Sequence, residues 1–85
     1  MPNKNYIKGR RKEYKIVHDY RNREYVAFRS AGSHSPFDVV AINENKRDIR
    51  LIQAKPDTMS PKAKERLENE LSRFNGVYTV RVVVE

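Results

Sequence analysis

Three polar side chains near the middle of the chain have the types and spacing of a reactive site. Asp38 precedes one apolar run, and Gln53 and Lys55 follow a second one. The polar, turn-forming residues 43–48 between the two runs predict a β-hairpin. In a symmetric hairpin Asp38 lies opposite Gln53, and Lys55 shares the same face. One face of the hairpin end would therefore carry a carboxylate, an amide oxygen and an ammonium group.

The remaining hairpin side chains on that face are apolar. The same register pairs Val40 with Leu51 and Ile42 with Ile49. The three polar groups would therefore lie at the rim of a core, and placing them there costs desolvation free energy. That cost is most easily explained if a cation or a substrate occupies the site.

A further carboxylate lies on the apolar side of the first predicted helix, which spans residues 9–23. Ile16, Val17 and Tyr20 form the apolar stripe of this helix, and Glu13 extends the stripe backward. Glu13 therefore points toward the body of the protein. Two interpretations follow, a functional carboxylate or the partner of a nearby arginine in a salt bridge.

The other elements follow from the periodicity of apolar residues and from residues that typically begin or end helices and strands. Alternating apolar residues predict strands at 25–30, 38–42 and 49–55. A Ser-Pro pair opens and an Asn-Gly pair closes a second helix over 60–74. The valine-rich residues 77–84 predict a last, well-buried strand. The order αβββαβ is a mixed α/β architecture.

Length and composition bound the class of protein. The chain has 85 residues, which suits a single domain, and it has no cysteine. No apolar run approaches the length of a membrane span, and residues 1–8 look like a loosely ordered basic arm without the apolar stretch of a signal peptide. We therefore expect a soluble, cytoplasmic protein without a membrane partner.

The charge is unevenly distributed along the chain. Lys and Arg number 18 against 11 Asp and Glu, a formal net charge of +7. Residues 1–30 hold nine basic side chains and three acidic ones, so nearly all of the excess lies in the first third. Such a distribution favours a polyanionic partner, above all nucleic acid, over a merely solvated tail.

The motifs together resemble a known family. Pro-Phe-Asp at 36–38, followed after the hairpin by Gln-Ala-Lys at 53–55, resembles the PD-(D/E)xK nuclease superfamily. Gly-Arg-Arg-Lys-Glu at 9–13, Phe-Arg-Ser-Ala-Gly-Ser at 28–33 and Phe-Asp-Val-Val-Ala at 37–41 are similar to the archaeal Holliday-junction resolvases and their restriction-enzyme-like relatives. The resemblance implies a minimal restriction-endonuclease-like αβββαβ core, with a mixed sheet flanked by helices, in one nuclease-like domain.

The resemblance also implies roles for four residues at a Mg²⁺ site, which Mn²⁺ could occupy instead. Glu13 would hold the metal directly or through water, and Asp38 would bridge the metal and the scissile phosphate. Gln53 occupies the position of the second acidic ligand, and Lys55 would orient the attacking water. Phosphodiester hydrolysis needs a hard, oxygen-ligated cation, an activated water and a positive charge near the developing anion.

Gln53 departs from the acidic residue of the family pattern. Its amide oxygen can bind Mg²⁺ but brings no charge, so we expect weaker metal binding. Further basic and hydroxyl side chains would contact the DNA backbone, namely Arg10, Arg11, Lys12, Arg29, Ser30, Ser33 and Ser35.

The sequence thus predicts a metal-dependent endonuclease of DNA recombination and repair that cleaves branched DNA, with the Holliday junction as substrate. Paired cuts on opposing strands imply a homodimer. Two alternatives stay open. One is a nuclease of the same fold that acts on duplex, flap or nicked DNA. The other is a DNA-binding module whose catalytic site has decayed.

Overall fold

The computed structural model describes residues 4–30 and 35–85. These residues form a mixed α/β domain of two α-helices and one three-stranded sheet. The elements in chain order are α1 (Lys4–Asn22), β1 (Val26–Arg29), β2 (Val39–Asn43), β3 (Asp48–Ile52) and α2 (Pro61–Leu71), which a 3-10 turn at Ser72–Phe74 extends. No helix in this described part of the chain is both long and apolar enough to cross a membrane.

The sheet is antiparallel throughout, with β2 in the centre. Val40 pairs with Leu51 and Ile42 pairs with Ile49, which confirms the predicted hairpin register. Asn43 fixes the turn, because its side-chain oxygen accepts a hydrogen bond of 2.8 Å from the backbone N–H of Lys46.

The core lies between α1 and one face of the sheet. Val17 of α1 packs with Tyr25, Ala27, Val39 and Ala41, and all five are buried. This arrangement follows from the period-2 alternation of β2, whose odd-numbered residues face the helix. Val39 is fully buried, so the residue next to Asp38 is anchored in the core.

The N-terminal helix is longer than the sequence analysis predicted. It begins at Lys4, so the prediction of a loosely ordered arm over 1–8 is wrong from that residue onward. Gly9, taken as the helix start, lies inside α1, since a single glycine costs only about 1 kcal/mol in a helix. The helix ends where Glu24 adopts a left-handed φ of 67° and Tyr25 N–H bonds to the carbonyl of Tyr20.

The second helix begins as predicted. The Ser60 side chain accepts a hydrogen bond of 3.2 Å from the Ala63 N–H, and Pro61 occupies the first helical turn.

The predicted last strand is wrong, because residues 77–84 form no strand. The described sheet is therefore not mixed, and the valines expected in the core are exposed, including Val77, Val80 and Val82. Valine favours a strand only when neighbouring strands pack around it, so composition alone does not create the pairing. The sheet face that the sequence analysis expected to border a core lies opposite α1 and is likewise open, with Phe28 and Leu51 partly exposed.

We predict that Val39→Ala lowers the free energy of unfolding by about 2 kcal/mol, because it leaves a cavity in the core beneath α1. Val82→Ala is the matched control, since Val82 is 91% exposed and should change stability little. Urea denaturation followed by circular dichroism measures both. Equal losses for the two variants would contradict the described packing.

Candidate functional site

Asp38 lies directly before β2, at the open end of the hairpin, and is held on both sides. Its carboxylate Oδ2 accepts a hydrogen bond of 2.9 Å from the N–H of Ala54. Its own N–H donates to the Ile52 carbonyl at 2.8 Å, and its carbonyl accepts from the Ser30 N–H at 2.9 Å. Contacts from both neighbouring strand ends thus fix the position of this carboxylate.

The contact between Asp38 and β3 differs from the cross-strand pair that the sequence predicted. The ladder ends one pair earlier, at Val39 and Ile52. Beyond it the Asp38 N–H still donates to the Ile52 carbonyl, but the Ala54 N–H, on the chain leaving β3, bonds to the Asp38 side chain. Aspartate side chains compete with the backbone for N–H donors, which accounts for the end of regular pairing here. The carboxylate lies against the Gln53–Ala54 peptide as a result.

Gln53 carries an orphaned oxygen. Its side-chain Oε1 is buried and has no hydrogen-bond partner in the part of the chain that the structure describes. An unsatisfied buried acceptor costs about 1–3 kcal/mol, so native proteins keep few of them. An amide oxygen is also a ligand that hard cations accept.

The donor set at this hairpin end fits a hard divalent cation. Asp38 Oδ1 accepts none of the hydrogen bonds found among the described residues, and Gln53 Oε1 is unsatisfied. Mg²⁺ is commonly held by one or two carboxylates and keeps several waters. No three acidic, histidine or cysteine side chains come together within residues 4–30 and 35–85. Asp38 would therefore supply most of the protein's charge to such a cation.

Glu13 points toward the body of the protein, as its place on the apolar stripe predicted. Its side chain is 18% exposed, and Oε1 accepts a hydrogen bond of 3.4 Å from Arg29 Nε. This contact is the salt bridge that the sequence analysis left open beside a catalytic role. Arg29 pairs with Val39 in the sheet, so the ion pair sits one residue along β2 from Asp38.

Arg29 is engaged on two sides within the protein. Besides Glu13, its guanidinium donates from Nη1 to the Tyr14 hydroxyl at 3.2 Å and lies 4.7 Å from the centre of the Tyr14 ring. The hydrogen bond from Arg29 lowers the pKa of Tyr14. The side chain is 25% exposed, so a predicted DNA contact by Arg29 would use only its outer edge.

Lys55 has an exposed side chain and a fixed backbone. Its carbonyl accepts a hydrogen bond from Lys12 Nζ, which also forms a salt bridge of 2.8 Å with Asp57. Lys12 lowers the pKa of the Asp57 carboxyl. Lys12, predicted to contact DNA, thus ties α1 to the segment after β3, whereas Arg10 and Arg11 are exposed on α1.

Two of the serines predicted to contact DNA, Ser30 and Ser35, hold the backbone beside Asp38. Ser30 Oγ donates to the Phe37 carbonyl at 2.7 Å, and Ser35 Oγ donates to the same carbonyl at 3.0 Å. The Phe37 ring packs edge-to-face on Phe74, with ring centres 5.0 Å apart. Sequence reasoning missed this positioning role, although serines that flank a fixed turn commonly bond to the backbone. The predicted contact by Ser33 lies outside the described residues.

No protein family, curated protein or solved structure matches this chain. The interpretation of the site therefore depends on its own geometry and on the motifs in the sequence.

We predict that Ser30→Ala weakens Mn²⁺ binding about 10-fold, because outer contacts of this kind orient metal ligands. DNA affinity should stay unchanged. Ser72→Ala is the control, since its hydroxyl bonds to the Asn69 carbonyl at the end of α2. Isothermal titration and fluorescence anisotropy measure the two affinities. Loss of DNA affinity with intact metal binding would support the predicted contact of Ser30 with the DNA backbone.

We predict that Gln53→Leu raises the free energy of unfolding by about 1 kcal/mol, because it removes an unsatisfied buried oxygen. The same change should weaken Mg²⁺ binding, and Gln53→Glu should strengthen it. Thermal unfolding and magnesium titration of the three proteins give the result. Unchanged magnesium affinity in both variants would show that Gln53 is no ligand.

Proposed function

We propose that the chain is a metal-dependent endonuclease that hydrolyses phosphodiester bonds in branched DNA, with the four-way Holliday junction as substrate. The observation that carries the proposal is the Asp38 carboxylate fixed on the Ala54 N–H, between Gln53 with its unsatisfied oxygen and Lys55 in the sequence. The resemblance of residues 36–38 and 53–55 to the PD-(D/E)xK motif supports the same assignment.

In this proposal Asp38 and Gln53 hold Mg²⁺ or Mn²⁺ at the open end of the hairpin. When bound, the cation polarises the phosphoryl oxygen and activates a water molecule. The exposed Lys55 ammonium orients that water and offsets the charge that develops on the phosphate. Glu13, bonded to Arg29, acts on the metal only through water.

DNA is the proposed partner because of the basic N-terminal third of the chain. In this proposal the exposed side chains of Arg10 and Arg11 on α1 contact backbone phosphates. The described order αβββα agrees with the first five elements of a restriction-endonuclease-like core, and we extend the proposal to that fold. A homodimer would supply the two sites that paired cuts on opposing strands require.

A DNA-binding module without catalysis is the second candidate function. Two observations favour it, namely the neutral Gln53 in the position of an acid and the bonding of the Glu13 carboxylate to Arg29. Such a module would bind junctions without cutting them.

We predict that the purified protein with Mg²⁺ or Mn²⁺ cuts a four-way junction faster than linear duplex, with paired nicks on opposing strands. Asp38→Asn and Lys55→Ala should each lower the cleavage rate about 100-fold or more. The asparagine oxygen can still accept the Ala54 N–H, so the fold is kept. Gel electrophoresis of labelled junctions measures the rate.

Asp19→Asn and Lys62→Ala are the matched controls, because both side chains are exposed on helices and neither belongs to the proposed site. Both should cut at the wild-type rate. Faster cutting of linear, flap or nicked DNA would show that this DNA, and not the junction, is the substrate. The protein would still be a nuclease. Binding of the junction without any cutting would support the second candidate function, a DNA-binding module without catalysis.

A further inference from the structure

A cluster of tyrosine and arginine side chains lies at the other end of the sheet, beside the hairpin turn. Tyr20 comes from the last turn of α1, Arg23 and Tyr25 from the connection to β1, and Asp48 and Arg50 from β3. We call these five residues the Tyr–Arg cluster. None of them was singled out as a binding residue in the sequence.

Hydrogen bonds fix the cluster around Asp48. The Tyr25 hydroxyl donates to Asp48 Oδ2 at 2.6 Å, and Arg50 Nε donates to the same oxygen at 2.9 Å. Arg50 Nη1 also donates to the Tyr20 hydroxyl at 3.4 Å. The hydrogen bond from Tyr25, and after it the one from Arg50, lowers the pKa of Asp48.

Two guanidinium groups share the same pair of aromatic rings. The rings of Tyr20 and Tyr25 meet edge-to-face, with centres 5.1 Å apart. The guanidinium carbon of Arg23 lies 4.8 Å from the Tyr20 ring centre and 5.7 Å from that of Tyr25. The corresponding distances for Arg50 are 5.8 and 5.7 Å. Cation–π contacts thus hold two like charges in one small area.

The cluster has more positive charge than its own carboxylate neutralises. The cluster holds two guanidinium groups, those of Arg23 and Arg50, and one carboxylate, that of Asp48. Lys46 lies close enough to lower the pKa of that carboxylate further. Arg50 is 44% exposed. The exposed Arg23 guanidinium makes no hydrogen bond within the described residues. Arg23 is therefore stacked on Tyr20, while its N–H donors are not used by the residues that the structure describes.

Phosphate is the ligand that this arrangement fits. A guanidinium presents its donors in a planar fork that matches phosphate oxygens, and stacking on tyrosine reduces the entropy lost when they bind. Aromatic rings beside arginines are also typical of surfaces that bind nucleic acid. The net charge of +7 favours a polyanion over an isolated acidic group on a protein.

We propose that the Tyr–Arg cluster is a second DNA-backbone site, in which Arg23 and Arg50 bind phosphates of the same DNA that reaches Asp38. This inference rests on the proposed function, because it takes DNA as the partner, and it adds a second contact region for that DNA. Four residue steps separate Val39 from Asn43 along β2, or about 13 Å at about 3.3 Å per residue. That length corresponds to roughly four nucleotides along one strand of a DNA helix.

Arg23→Gln tests the cluster without removing any of its hydrogen bonds. Fluorescence anisotropy with a labelled duplex and a labelled four-way junction, in EDTA to prevent cutting, gives the dissociation constant at several salt concentrations. We expect about 3- to 10-fold weaker binding at low salt. The slope of log affinity against log salt should become shallower by about 0.9. Arg23→Lys keeps the charge and should retain most of the slope.

Lys62→Gln is the control, because this exposed basic side chain lies on α2, outside the cluster. It should bind like wild type, and all variants should share one melting temperature. An unchanged salt slope for Arg23→Gln would overturn the inference. A changed slope would support it even in a protein that never cuts DNA, so its outcome is separate from that of the cleavage assay.

Discussion

The hydrogen bond from the Ala54 N–H to the Asp38 carboxylate is the contact on which the account of the site depends. It closes the open end of the hairpin and directs one carboxylate oxygen to the chain leaving β3. The buried Val39 anchors the same end of the hairpin in the core. A carboxylate fixed in this way needs little reorganisation to bind a cation, which is the condition for a preorganised site.

The side chains around Asp38 divide into those that position it and those that could act on a ligand. Ser30 and Ser35 bond to the Phe37 carbonyl, and Lys12 bonds to the Lys55 carbonyl, so the backbone on both sides of the site is fixed. The groups left for a ligand are an oxygen of Asp38, the oxygen of Gln53 and the exposed ammonium of Lys55. This division explains how one short hairpin could present three different chemical groups to a ligand.

Much of the fold could be predicted from local patterns, and the failures have physical causes. The turn residues and the apolar pattern together set the β2–β3 register, because a shift of one residue would turn every apolar side chain to the other face of the sheet. The inward direction of Glu13 followed from helical periodicity, but its bond to Arg29 depends on the packing of α1 on the sheet, which periodicity does not describe. The prediction of a strand at residues 77–84 is wrong because a valine-rich segment becomes a strand only when the edge of a neighbouring strand pairs with it.

The candidate site was predictable in type and less so in detail. Asp38 and Gln53 were placed near each other from the symmetry of the hairpin, yet the carboxylate bonds to Ala54 instead of forming a regular cross-strand pair. That difference arises because an aspartate side chain competes with backbone carbonyls for N–H groups at a strand end. The resemblance to the resolvases supplied the roles of these residues, and those roles are proposals for this chain.

The central claim is that a divalent cation binds between Asp38 and Gln53. Titration of the isotopically labelled protein with Mn²⁺, followed by nuclear magnetic resonance, tests it most directly, because the paramagnetic ion broadens the amide signals nearest to it. We expect the signals of Gln53 and Ala54 to broaden first, Asn43 at the far end of β2 to broaden only at higher Mn²⁺ concentration, and Asp38→Asn to abolish the effect. Broadening centred on another part of the chain, or an unchanged effect in the Asp38 variant, would contradict it.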